Sequence, residues 1–208
     1  LDIDEVHHIP EIRKLSLLLP YPNSPINLSV LGQFSEKFII AENEEWLILF
    51  EKSMLLEKII YESYMLLLQK KEIKTSNLNS PILIEFSSRE TELLNLKIDA
   101  MENAGFSISH FGKNSFSVYS IPEVLIEDKV ENVIRRVLNS LSIKEDCEEK
   151  ICKEICYSIA SHVGQYSFIK FNLADMEFLL AKWEELGNPL NSIQNKLMMI
   201  KISKQEIE

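Results

Sequence analysis

Glycine is scarce in this chain. Its 208 residues hold five, at Gly32, Gly105, Gly112, Gly164 and Gly187, and none lies near another. A phosphate-cradling loop needs clustered glycines that let backbone amides approach the anion, so P-loop and dinucleotide-binding chemistry are excluded. Cysteine is scarcer still. Cys147, Cys152 and Cys156 are the only three, crowded into one helical stretch. An odd count there argues against a disulfide framework and for a reducing compartment. No window approaches the roughly 18 consecutive apolar residues of a membrane span, and no basic-then-apolar leader marks a signal peptide. Positive charge is also short: 22 basic side chains face 32 acidic ones, a net charge of −10. Such a surface repels phosphate, which disfavours an autonomous nucleic-acid binder or a protein of anionic membranes.

What is present is the mixture of a globular protein, 46% hydrophobic and 26% charged. The chain opens on Leu1 rather than Met, so a piece of a longer chain is expected. Residues 1–25 carry Pro10, Pro20, Pro22 and Pro25 and read as the end of an interdomain linker, with a short apolar patch at Leu15–Leu19. Ile26, Leu28 and Val30 alternate with polar residues, the period of a half-buried strand. Phe38–Ala41 and Trp46–Phe50 are two further strands, separated by the turn Asn43-Glu44-Glu45, and the three predict a meander. A helix over 51–71 follows. Its stripe of Leu55, Leu56, Ile59, Ile60, Tyr64, Leu67 and Leu68, widened by Met54, Tyr61 and Met65, predicts a helix covered on more than one side.

Residues 72–80 are polar and read as a loop, before a strand at Ile82–Phe86. Ser87 or Ser88 caps a helix over 89–103, ended by Gly105. Phe106–Phe111 and Ser115–Ile121 form a hairpin through Gly112-Lys113-Asn114. Val130, Val133, Ile134, Val137, Leu138 and Leu141 outline one amphipathic helix, and another spans about 146–163. Asn172 caps a helix over 173–186, and Leu197–Ile202 is a last strand. The expected class is α+β in two lobes. Residues 26–72 and 146–208 make a lobe of three strands plus helices, and 73–145 is an inserted αβ lobe.

Chemistry-bearing residues are few. His7 and His8 fall in the linker, His110 on a strand and His162 near a helix end, none beside a nucleophile. Cys152 and Cys156, four apart, share a helix face, but two ligands make no zinc site. Glu51, Glu57 and Glu62 form the one carboxylate constellation. Glu51 and Glu62 lie three turns apart on one helix face with Glu57 at an angle, and from spacing alone a solvated acidic face explains them better than a site does.

The order of these segments resembles a known family. Gly32-Gln33-Phe34, Phe38-Ile39-Ile40-Ala41, Trp46–Phe50 and Glu57-Lys58-Ile59-Ile60-Tyr61-Glu62 come first. Asn103-Ala104-Gly105-Phe106, Val118–Pro122 and Ile155–Ala160 come later. Taken together over about 28–203, they resemble the C-terminal dimerisation domain of the MutL family of DNA mismatch repair proteins. Nuclease-type members carry Asp-Gln-His-Ala-x2-Glu-x4-Glu at the long helix, where this chain has Glu51-Lys52-Ser53-Met54, then Glu57 and Glu62. Ser53 replaces the histidine. The late Cys-Pro-His-Gly-Arg-Pro falls at Asn188–Ile193, where only Pro189 matches, and Cys156 alone matches a family cysteine. The resemblance therefore implies a domain of the type without the endonuclease motif, in which Glu51, Glu57, Glu62 and Cys156 stand at remnant positions, the glutamates being either remnants or merely helix formers. No catalytic residue, metal or other cofactor is expected.

The resemblance implies a homodimer that tethers two N-terminal ATPase domains, with a dimerisation lobe and a regulatory inserted lobe. It further implies a cytoplasmic, nucleoid-associated place, docking of mismatch repair proteins such as MutS, and DNA contact mainly through the N-terminal region. A sliding-clamp segment would fall at Ser76–Pro81, where the family's glutamine is missing. Two other readings stay open at this point: a metal-dependent DNA-nicking endonuclease with a divergent acidic site, and an unrelated α+β interaction module.

Overall fold

The computed structural model describes residues 22, 26–125, 129–142, 147–164 and 171–207. The expected linker, apart from Pro22, lies outside the described residues. In chain order the elements are β1 (Ser29–Phe34), β2 (Phe38–Glu42), β3 (Trp46–Glu51), α1 (Lys52–Lys70), β4 (Thr75–Glu85) and α2 (Ser88–Asn103). They continue with β5 (Ser107–His110), β6 (Ser115–Pro122), α3 (Val130–Ser140), α4 (Glu148–Gly164), α5 (Leu173–Glu185) and β7 (Met199–Ser203). The fold is α+β, and backbone contacts divide it into two compact units, Leu1–Glu62 with Ala160–Glu208, and Ser63–Ile159.

The first unit is organised by an antiparallel sheet of order β1-β2-β3-β7. The expected meander is there, and the chain's last strand pairs with β3 to make the sheet four strands wide. The turn between β2 and β3 forms because the Asn43 side-chain oxygen accepts hydrogen bonds from the Glu45 and Trp46 amides, at 3.0 and 2.8 Å. Strand alternation sends Ile39, Ala41, Ile48 and Phe50 to one buried face. There Phe50 meets Trp183 of α5 edge to face, centroids 4.9 Å apart. Helix α5 starts where expected, because Asn172 and Asp175 close a reciprocal capping box.

The first strand is displaced from its expected place. It begins at Ser29 rather than Ile26, and a register shift between Val30 and Gly32 carries it on to Phe34. That bulge interrupts the alternation that a sequence pattern relies on.

The second unit is organised by an antiparallel sheet of order β4-β6-β5. Helices α2 and α3 supply its core through Leu93, Leu94, Met101, Val130, Val133, Ile134, Val137 and Leu138, all buried. The Ser87–Glu90 capping box starts α2. Gly105, at φ +89°, follows it in a conformation that favours glycine, and a β-carbon there would lie 2.7 Å from the Ile73 side chain.

The loop expected over 72–80 is partly strand. Thr75, Ser76 and Asn77 pair with Pro122, Ile121 and Ser120, and after a break in register Ile82 pairs with Val118. The tertiary pairing overrides a local sequence that reads as turn. Pro81 falls in the break, on an edge strand, where a missing N–H costs no ladder bond.

Candidate functional site

The acidic constellation begins where β3 passes into α1. The Glu51 amide donates to the Met198 carbonyl at 2.8 Å, and its side chain turns to the helix start, where Oε2 accepts from the Met54 amide at 2.7 Å. Glu51 thus satisfies one of the unpaired donors of the first turn, a capping role that the sequence reading missed. The signal was readable: an acid three residues ahead of an amide at the mouth of a long apolar helix.

Lys52, next in the chain, is fully buried, with its ammonium 4.2 Å from the centroid of the Phe171 ring. Burial pushes its pKa down, and the Glu36 and Glu51 carboxylates oppose that shift. One turn on, Glu57 is half-buried and lies against Gly164 at the end of α4. A β-carbon at Gly164 would stand 3.3 Å from that of Glu57 and 3.5 Å from the Ser53 carbonyl. A glycine is what admits this close approach. Glu62 accepts from Lys58 Nζ at 2.7 Å, a half-exposed i,i+4 pair.

Cys156 belongs to the second unit and is buried. Burial, with a smaller contribution from Cys152, pushes its thiol up to about 12. Such a group stays protonated at neutral pH and is a weak nucleophile. Cys152 is half-buried and shifted the same way by burial and by Glu148. Cys147 is exposed. His110 packs on Phe116 with centroids 4.6 Å apart and ring planes tilted by 59°, and His162 is buried in α4.

These donors do not fit a divalent metal. The Glu51 carboxylate caps a helix, Glu62 is paired with Lys58, and Ser53 offers no imidazole. Among the described residues no three of His, Cys, Asp and Glu gather where they could hold an ion. The late segment is likewise used for structure. The Pro189 carbonyl accepts from Trp183 Nε1 at 2.9 Å, and Ser192 Oγ accepts from the Lys196 amide at 3.2 Å. Ser76–Pro81, where a clamp segment would fall but the family's glutamine is missing, lies on β4 across its break in register.

A different feature stands out on the first unit's sheet. The register aligns Ile40 with Leu49 and Ile200, and Leu47 with Ile202, on the face opposite the buried Ile39, Ala41, Ile48 and Phe50. Phe34 and Phe38, paired across β1 and β2, extend that outer face. Phe34 and Ile200 are exposed, and the others are half-buried. The sequence reading expected a dimerisation lobe but did not single out these residues. The alternation Met199-Ile200-Lys201-Ile202 carried the information.

An apolar sheet face of this kind is the mark of a domain built to meet another surface. The model of the MutL C terminal dimerisation domain matches residues 31–166, and the chain belongs to that family. It is 25% identical over 190 residues to the DNA mismatch repair protein MutL of Clostridium botulinum strain Loch Maree, covering 89% of this chain and 28% of that protein. It is 26% identical over 191 residues to MutL of Endomicrobium trichonymphae, covering 89% and 31%. The chain therefore spans less than a third of the length of these curated relatives. Among the described residues no helix is long and apolar enough to cross a membrane.

Proposed function

We propose that this domain pairs with a second copy of itself through the outer face of the four-stranded sheet, and that it cuts no DNA. The observation that carries this reading is the apolar row Ile40, Leu49 and Ile200, flanked by Leu47, Ile202, Phe34 and Phe38. A two-fold axis lets one such patch cover its own copy. Fully burying a Leu, Ile or Phe side chain stabilises by about 1.5–3 kcal/mol, so a few of them dominate an interface.

In this reading, residues 26–72 and 146–208 are the dimerising lobe and 73–145 the regulatory insertion. The dimer keeps two N-terminal ATPase regions at high mutual concentration, and repair partners such as MutS dock on the assembled protein. Glu51, Glu57, Glu62 and Cys156 serve packing and capping rather than catalysis. The endonuclease alternative rests only on the motif positions kept at Glu57, Glu62 and Cys156.

Two measurements test the proposal. Light scattering on the isolated chain is expected to give a dimer at micromolar concentration, and Leu49→Glu a monomer. A monomeric parent chain, or a Leu49→Glu variant that still pairs, would sink the interface. Supercoiled plasmid incubated with the chain and manganese or zinc is expected to stay intact. Nicking that disappears in Glu57→Ala would overturn the non-nuclease reading.

A further inference from the structure

The second unit holds a cleft of about 610 Å³ that the dimer reading does not use. The last turn of α1 forms its floor with Met65 and Leu68, continued by Ile73 ahead of β4. The last turn of α2 and the first turn of α4 form its rim, with Glu102, Glu148 and Glu149. Lys71 is the one cation among the lining residues.

The electrostatics of this cleft have a definite sign. Two helices, α1 and α2, end at it, and a helix C-terminus carries partial negative charge. The last turn of α1 carries Lys70, whereas the last turn of α2 holds no basic residue to offset this. The one helix that begins there, α4, has its positive end covered by Glu148 and Glu149 in its first turn. Lys153 pairs with Glu149, whereas Glu102 and Glu148 have no ion-pair partner among the described residues. An apolar floor beneath an acidic rim suits one chemistry: an apolar side chain flanked by cations. Anionic ligands meet repulsion there, and a neutral apolar ligand would bury carboxylates without compensation.

We propose that this cleft is a docking site for a short cationic amphipathic segment of a partner protein. Leucine- or phenylalanine-type side chains enter between Met65, Leu68 and Ile73, and lysine or arginine side chains meet Glu102 and Glu148. The site lies wholly within the second unit and is independent of the outer sheet face, so it serves a partner other than the second copy.

The test is fluorescence anisotropy with the whole chain and a labelled peptide, Lys-Leu-Leu-Arg-Phe-Leu-Lys. The control peptide has glutamate in place of each cation. The cationic peptide is expected to bind and the acidic one not. Glu102→Gln with Glu148→Gln is expected to weaken binding about tenfold, because it removes the charge facing the peptide. Glu44→Gln with Glu45→Gln makes the same change of net charge on the first unit and is expected to leave binding unchanged. Circular dichroism confirms that both double variants are folded. Equal weakening by the two pairs would mean general attraction to an acidic protein, and would overturn the proposal. So would failure of the cationic peptide to bind, or tighter binding of a single-stranded oligonucleotide. Leu49→Glu is expected to keep peptide binding, so loss of dimerisation and loss of this site read out separately.

Discussion

Across the outer face of the four-stranded sheet the register lines up Ile40, Leu49 and Ile200. Across the corresponding face of the three-stranded sheet it lines up Leu83, Ser117 and Ser109. The opposite faces are alike. Ile39, Ile48 and Phe50 in one unit match Ile84, Phe116 and Ile108 in the other, and all are buried. An antiparallel sheet with one apolar face needs a single covering layer and can leave the other face to water. In the second unit Leu83 and Ser109 are open to water and Ser117, on the central strand, is buried, so that face carries one large apolar side chain rather than a row of three. A sheet that is apolar on both faces needs something on both sides, and the proposed self-pairing rests on that difference between the two units.

The likeness of the inner faces is the part of the comparison with the largest energies. Phe50→Ala and Phe116→Ala each remove a fully buried ring with an aromatic neighbour, Trp183 and Phe86 respectively. Each is expected to cost about 3–5 kcal/mol in urea unfolding. A cost below about 1 kcal/mol for either would break the claim that both sheets rest on equally packed cores.

The difference between the outer faces comes next. Ile40→Lys is expected to weaken self-association by ~30-fold or more, about 2 kcal/mol, since it places an unpaired charge in the contact. Ser109→Lys, on the second sheet, is expected to leave sedimentation unchanged. The reverse outcome would exchange the roles assigned to the two units.

A smaller effect compares two buried aromatic donors. Tyr64 O–H donates to the Ala104 carbonyl at 2.7 Å in the second unit, and Trp183 N–H donates to the Pro189 carbonyl at 2.9 Å in the first. Burial, with a smaller contribution from Cys156, raises the Tyr64 pKa well above that of an exposed tyrosine, so the hydroxyl keeps its proton. Tyr64→Phe is expected to cost about 1–2 kcal/mol, leaving the Ala104 oxygen buried without its donor. A neutral result in thermal unfolding would show that the bond adds nothing beyond the packing of the ring.

Local rules carried much of this fold and failed at identifiable places. The starts of α2 and α5 were legible because Ser87 and Asn172 announce capping boxes to Glu90 and Asp175. The wide stripe of α1 was legible because composition alone sets it. Strand β4 was not, because Thr75-Ser76-Asn77 has the chemistry of a turn and becomes strand only by pairing with residues more than 40 positions away. Strand β1 shifted because a bulge changes the alternation. At the acidic constellation, the spacing of Glu51, Glu57 and Glu62 along the chain was readable. The Gly164 backbone against Glu57 and the ring of Phe171 over Lys52 were not, since each comes from a helix or segment over 100 residues away.

The smallest effect tests the second unit's capping box against the first unit's. Arg135 adds to the box at α2, with Nη1 2.9 Å from Glu90 Oε1 and Nη2 2.8 Å from Glu131 Oε1. The box at α5 is closed by Asn172 and Asp175 alone. Burial opposes the Glu90 charge, but the hydrogen bonds from Ser87 and the Arg135 guanidinium outweigh it and hold the carboxyl below its usual range. The folded state therefore binds this proton less readily than the unfolded chain does. The resulting stabilisation is complete above the unfolded carboxylate pKa. It fades as pH falls through the lowered folded value. Glu90→Gln is expected to lower stability by up to about 1 kcal/mol at neutral pH, as partly exposed pairs do. Its melting curve should approach that of the parent chain as the solution is acidified. A gap that stays constant down the acid range would assign the effect to lost geometry at the cap rather than to charge, and would leave the two capping boxes equivalent.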